Sequence, residues 1–138
     1  MGIKGLLYTR KKILFKEGDI IFKENAEDCK EMYIIDSGRV NIVKKVEDTD
    51  ISLTTLDEGD FFGEMSLITG SKRSASAIAH TKCKLHTMDK ETFEFNLSKD
   101  IKFMRQILET LAHRLEATDT NLKRHILRSA RLSKSFSA

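Results

Sequence analysis

Glu64 and Arg73 flank a short apolar run in the stretch from Asp60 to Ala77, DFFGEMSLITGSKRSASA. Gly63 and Glu64 open a helical turn built on Met65, Leu67 and Ile68, and Gly70 ends it. Arg73, Ser74 and Ser76 then lead into small and branched residues that suit a packed strand. Amides at the start of a helix have no intrahelical acceptor, and the macrodipole is positive there, so that end attracts an anion. An arginine at position 73 can fork two donors onto phosphate oxygens. A carboxylate at position 64 would repel a phosphate but can accept from a sugar hydroxyl. The pair therefore points to one ligand carrying both a phosphate and a sugar.

Phe62, Gly63, Glu64, Leu67, Arg73, Ser74 and Ala75 together resemble the phosphate-binding cassette of the cyclic nucleotide-binding domain family. That family includes bacterial catabolite activators, regulatory subunits of cAMP-dependent kinase and cyclic-nucleotide-gated channels. The resemblance runs from about Ile13 to the final helix. It implies that the ligand is cAMP or cGMP, with no other cofactor. It implies that Glu64 accepts the ribose 2′-OH and that Arg73 pairs with the exocyclic phosphate oxygens. Backbone N–H groups at Gly63, Glu64 and Ala75 and the Ser74 hydroxyl complete the implied cradle, with Phe62 and Met65 beside it. Lys72 departs from the pattern, because many members carry proline there. Thr118 matches a position where the activators cap adenine, and Asp119 departs from the serine that follows it. Ser74 matches the cAMP activators, whereas members favouring cGMP often carry threonine. Thr118 has a plainer reading too, as a filler in a helical seam. These features favour cAMP and leave cGMP as the alternative.

The elements that must hold this cassette can be read from periodicity. Lys11–Phe15, Ile20–Phe22, Glu31–Ile35, Arg39–Val43, Ile51–Leu56, Ala75–Ala79 and Lys84–Met88 have strand character, and the region suggests about eight strands. Gly18-Asp19, Ser37-Gly38 and Gly59-Asp60 punctuate them, while Asn25–Lys30 and Glu47–Asp50 are polar loops. Short strands with regular turns suggest a sandwich or a barrel. With the family resemblance, the expected fold is mainly β with flanking helices, an eight-stranded antiparallel jelly-roll β-barrel followed by a hinge helix and a long C-terminal helix. The expected boundaries are an N-terminal segment over 1–10, a barrel over 11–88 with the cassette at 61–77, a hinge helix over 89–98, a C-terminal helix over 100–127 and a basic tail over 128–138.

Asp89 is a good N-cap for the hinge helix, and Phe93 and Leu97 lie one turn apart. In the last helix Ile101, Met104, Leu108, Leu111, Leu115, Thr118, Leu122 and His125 alternate spacings of 3 and 4. Such a seam meets a second helix in coiled coils. The expected partner is a second copy, as in the bacterial activators, giving a homodimer. The other reading is packing against the chain's own β domain.

The 138 residues allow one domain with a real core. The composition, 40% hydrophobic and 33% charged, is ordinary for a soluble globular chain, and the absence of proline excludes a Pro-rich linker. No apolar run has the length of a membrane span, and no signal peptide or myristoylation motif is present. Cys29 and Cys83 have no CxxC spacing, which together with these absences predicts a cytoplasmic protein with free thiols. A net charge of +3 is too small to imply nucleic acid. His80, Cys83 and His86 would not converge on a metal from an extended strand, because 83 faces away from the other two. No catalytic triad or carboxylate pair is visible, so no enzyme activity is expected. Lys123, Arg124, Arg128, Arg131 and Lys134 read as solvated cations, and a winged helix-turn-helix is not expected in this chain. The expected role is a non-catalytic cyclic-nucleotide sensor whose C-terminal helices shift on binding. The alternatives are a regulatory domain of a longer transcription factor, channel or enzyme, and a barrel that serves only as an interaction module.

Overall fold

The computed structural model describes residues 11–27 and 31–136. The segment 1–10, Cys29 and the end of the Asn25–Lys30 loop lie outside the described residues, as do the side chains of Leu122, His125, Arg131 and Lys134. The chain divides into two compact units, one up to Asp100 and one from Ile101 onward.

The first unit contains β1 (Lys11–Phe15), β2 (Ile20–Phe22), β3 (Glu31–Ser37), β4 (Val40–Val46), β5 (Thr49–Leu56), β6 (Phe61–Phe62), α1 (Glu64–Thr69), β7 (Ser76–Ala79), β8 (Cys83–Asp89) and α2 (Lys90–Lys99). The strands form two four-stranded antiparallel sheets, ordered β1-β8-β3-β6 and β2-β7-β4-β5. Among the described residues no ladder joins one sheet to the other, so the closed barrel that the sequence predicts is instead a pair of sheets. Their edges explain the difference: β6 has 2 residues and β2 has 3, too few to carry a ladder around a corner.

The core lies between the sheets. Ile35, Phe62, Cys83 and Leu85 come from one sheet and Val40, Ala77 and Ala79 from the other, all buried in one cluster. Burying each larger side chain contributes roughly 1.5–3 kcal/mol before conformational entropy is counted. Strand alternation decides which residues enter: in β8, Cys83, Leu85 and Thr87 are buried while Lys84 and His86 are only half-buried. Cys83 therefore faces the core, with Sγ 3.0 Å from the Arg39 carbonyl, whereas His86 lies 3.8 Å from Asp36.

Two turns differ from expectation. The Glu47–Asp50 loop contracts to two residues, Glu47 and Asp48, with φ of 50° and 64°. Two successive positive φ values are the signature of a type I′ hairpin turn, whose twist matches that of the flanking strands. The Phe61–Phe62 pair, the start of the cassette expected over 61–77, is also a strand, paired to Tyr33 and Ile34.

In α2, Asp89 caps the helix by accepting from the Thr92 N–H at 2.8 Å. Asn96 is buried as Phe93 is, donating to the Thr92 carbonyl at 3.0 Å. The second unit is α3 (Ile101–Phe136), 36 residues long. It continues past the boundary at 127 that the sequence predicts, because no glycine or proline interrupts residues 101–136. Ile101, Met104, Leu108 and Leu115 of the seam are exposed, whereas Phe103 and Ile107, on a different stripe, are buried. Among the described residues no helix is long and apolar enough to cross a membrane.

Candidate functional site

Topology places the cassette between the two sheets. β6 is an edge strand of one sheet, and β7 sits between β2 and β4 in the other. Residues 63–75 therefore cross from sheet to sheet, and α1 fills the start of that crossing. Gly63 begins it with φ 81° and ψ 5°. A Cβ at this residue would lie 2.8 Å from Arg73 Nη1 and 3.4 Å from the Phe22 ring. Only glycine meets both demands, since it tolerates the left-handed backbone and leaves room for the guanidinium. α1 closes at Gly70, whose N–H donates to the Ser66 carbonyl at 2.8 Å.

Arg73 braces the crossing from inside. Its side chain is 3% exposed. Nη1 donates to the Gly63 carbonyl at 2.8 Å and Nη2 to the Glu31 carbonyl at 2.6 Å. Cζ stands 4.2 Å from the centroid of the Phe22 ring, a cation–π contact. Phe22 belongs to an aromatic cluster, 5.9 Å from both Tyr33 and Phe62, which stack at 5.2 Å. Nε is buried and makes no hydrogen bond, and no acidic side chain of the described residues pairs with the guanidinium. Such a buried cation is costly unless an anion or further hydrogen bonds compensate it.

The backbone on either side of Arg73 is held as tightly. Its N–H donates to the Ala26 carbonyl at 3.0 Å, and its carbonyl accepts from the Asn25 N–H at 2.8 Å. Ser76 Oγ accepts from the Glu24 N–H at 2.8 Å. Lys44 Nζ donates to the Ser74 carbonyl at 2.8 Å and to Glu24 Oε1 at 3.0 Å, and Glu24 Oε2 accepts from the Lys45 N–H at 3.1 Å. The Lys45 N–H, followed by the Lys44 ammonium, holds the Glu24 carboxyl below the usual carboxylate range.

Of the residues singled out from sequence, Gly63, Glu64, Met65, Arg73, Ser74 and Ala75 all lie in this crossing, and Phe62 ends the strand before it. Glu64, like Arg73, is buried to 3% exposure, Ala75 is buried, and Met65 and Ser74 are exposed. Thr118 and Asp119 belong to the second unit and are exposed. Thr118 Oγ1 donates to the Arg114 carbonyl at 2.9 Å, and Asp119 forms an ion pair with Lys123 at 3.2 Å, both within one turn of α3. Sequence reasoning missed Phe22, Glu24, Glu31 and Lys44. Each sits on another strand or loop, and no local pattern marks a residue whose role depends on a partner dozens of positions away. Chemically, the site is a buried guanidinium and a buried carboxylate, set by one strand crossing between two sheets.

Residues 12–100 match the family described as Cyclic nucleotide-binding domain. The human Cyclic nucleotide-gated channel beta-3 is 38% identical over 95 residues, 67% of this chain and 12% of the channel. A CRP-like cAMP-activated global transcriptional regulator of Mycobacterium tuberculosis is 32% identical over 122 residues, 88% of this chain and 54% of the regulator. The chain thus spans about half or less of these relatives' lengths. The crystal structure of the Thermus thermophilus Catabolite Activator Protein superposes with a TM-score of 0.75 at 27% identity, covering 82% of this chain and 53% of that one. With the match extending over most of the first unit and including the whole crossing, this chain belongs to the cyclic nucleotide-binding domain family.

Proposed function

We propose that this chain is a non-catalytic sensor of cyclic nucleotide, with cAMP as its ligand and cGMP as the competitor to test against it. One observation carries the reading: Arg73 is a buried guanidinium with an unpartnered Nε and no paired acid among the described residues. A cyclic phosphate supplies the missing charge and acceptors. Arg73 takes the exocyclic phosphate oxygens and Glu64 the ribose 2′-OH. The N–H groups of Gly63, Glu64 and Ala75 and the Ser74 hydroxyl close the cradle, with Phe62 and Met65 beside it. For the base, the family resemblance names Thr118 and Asp119 of α3. The preference for cAMP is supported by Ser74 and by the cAMP-activated regulator among the relatives.

The strand orders 1-8-3-6 and 2-7-4-5 support a jelly-roll connectivity for the two sheets. A sensor reports by favouring one of two arrangements, and the ligand can shift them only by its difference in affinity for each. In this reading the helices on either side of Asp100 are the moving element, and the exposed seam of α3 pairs two copies in a homodimer. The protein works in the cytoplasm, alone or as the regulatory domain of a longer chain.

The test is calorimetric titration of ligand-stripped protein with cAMP and then cGMP, followed by amide exchange on α3 with and without nucleotide. Tight binding of cAMP, weaker binding of cGMP and changed protection of α3 are expected. Binding of neither nucleotide overturns the sensor reading, and unchanged protection overturns the helix movement alone.

A further inference from the structure

Lys44 lies outside the cassette, on β4, yet its ammonium donates at 2.8 Å to the carbonyl of Ser74 inside it. It is held there by Glu24, whose Oε1 accepts from Nζ at 3.0 Å and whose Oε2 accepts from the Lys45 N–H at 3.1 Å. Glu24 is itself anchored, since its N–H donates to Ser76 Oγ at 2.8 Å. The Glu24 side chain is 17% exposed and that of Lys44 is 44% exposed. The ammonium therefore sits at the rim, held by Glu24 and the Ser74 carbonyl.

The Ser74 carbonyl and the Ala75 N–H belong to one peptide unit. That unit is planar and trans, so the two groups point in opposite directions. Whatever fixes the carbonyl also aims the N–H. A cation on the carbonyl polarises the peptide, which makes its N–H a stronger donor. The other end of the crossing uses the same device. Arg73 Nη1 donates to the Gly63 carbonyl at 2.8 Å, and the N–H of that peptide unit is that of Glu64. Two peptide units of the crossing thus each carry a cation on the carbonyl side.

We propose that Lys44, clamped by Glu24, is a positioning residue for the anion site: it holds the Ser74–Ala75 peptide so that the Ala75 N–H faces the ligand phosphate. This rests on the cyclic-nucleotide reading of the site. Lys44 acts through the peptide and touches no ligand atom. Its effect falls on the phosphate end, which cAMP and cGMP share, so both nucleotides feel it equally.

The experiment compares wild type, Lys44→Met, Lys44→Gln and Glu24→Gln by amide NMR without ligand, thermal melting, and titration with cAMP and cGMP. For Lys44→Met the Ala75 amide resonance moves in the ligand-free protein while β1 amides stay in place. The dissociation constants for both nucleotides rise about tenfold, and melting changes by only a few degrees. Lys44→Gln keeps a donor for the Ser74 carbonyl and recovers part of the affinity, so it also serves if the Met variant does not fold. Glu24→Gln gives a smaller loss of the same kind. An unmoved Ala75 amide, or unchanged affinity for a wild type that does bind, overturns the positioning role and leaves the sensor reading intact. A wild type that binds neither nucleotide overturns the sensor reading and the ligand-facing role together, even if the Ala75 amide moves.

Discussion

Between Phe61 and Ala77 a glutamate and an arginine are each only 3% exposed, whereas on α3 Ile101, Leu108 and Leu115 are 60–71% exposed. The cassette hides charge and the helix displays hydrocarbon. A buried guanidinium is tolerated because two carbonyls and an aromatic face hold it. Its Nε has no hydrogen-bond partner, which fits the ligand proposed for it. An exposed leucine row is tolerated because single apolar side chains on a surface are common, but a row at 3-4 spacing marks packing still to be completed. Each region departs from the usual partition in the direction of what it is proposed to bind: an anion in the first, a copy of itself in the second.

That contrast can be broken at either end. The largest effect is expected for Arg73→Ala, which removes the buried cation. Affinity for cAMP falls about ten- to a hundredfold, or roughly 1.5–3 kcal/mol, in calorimetric titration. Equal affinity would mean that the buried charge serves the fold and not a ligand. Next comes Leu115→Glu on the helix. A carboxylate in a helix–helix seam is desolvated without a partner, so the dimer dissociation constant is expected to rise at least about tenfold by sedimentation. A variant that sediments like wild type would remove the second half of the contrast.

Gly63→Ala sharpens the comparison inside the cassette. It forces a methyl to within 2.8 Å of Arg73 Nη1 at a backbone φ of 81°. The left-handed conformation alone costs an L residue about 1–2 kcal/mol, so both melting temperature and affinity are expected to drop. A drop in melting temperature with affinity intact would show that the guanidinium can yield. Asp89→Ala should cost about 1 kcal/mol through loss of the cap on α2, read as a melting temperature lower by a few degrees. Asp89 lies outside both stretches in sequence and so calibrates the others.

The smallest expected effect is on pH. The Glu24 carboxyl is held low by the Lys45 N–H and the Lys44 ammonium. A carboxylate with a depressed folded value adds stability above its unfolded pKa and loses it as pH falls through the folded value. Nucleotide affinity should therefore be flat near neutrality and weaken by about threefold in acid, the modest size fitting a pair at the rim. Glu24→Gln should remove that acid step. A step that persists in the variant would assign it to another carboxylate.

The cassette was legible because its demands are local. Gly63, Glu64, Arg73 and Ser74 fall within one crossing, and their types at that spacing point to the family before any fold is known. The Asp89 cap and the glycine at 70 were legible for the same reason, as each serves a backbone group within four residues. Lys44 and Glu24 were not. Lys44 reads as one cation on an alternating strand, and its role appears only when β4 and β7 pair and bring it to Ser74. Phe22 likewise reads as a strand aromatic until Arg73 is seen over its ring.

The sequence by itself determined the strand character, the glycine turns, the cassette and the helical seam, since these follow from side-chain period and backbone preference over a few residues. Tertiary structure decided that the strands close as two sheets and not as a barrel, because edge lengths of 2 and 3 residues limit a ladder only once partners are assigned. It also decided that α3 buries Phe103 and Ile107 and leaves the seam exposed. Period alone shows that a helix has an apolar stripe. Which of its apolar residues are buried is a property of the folded chain and not of the period.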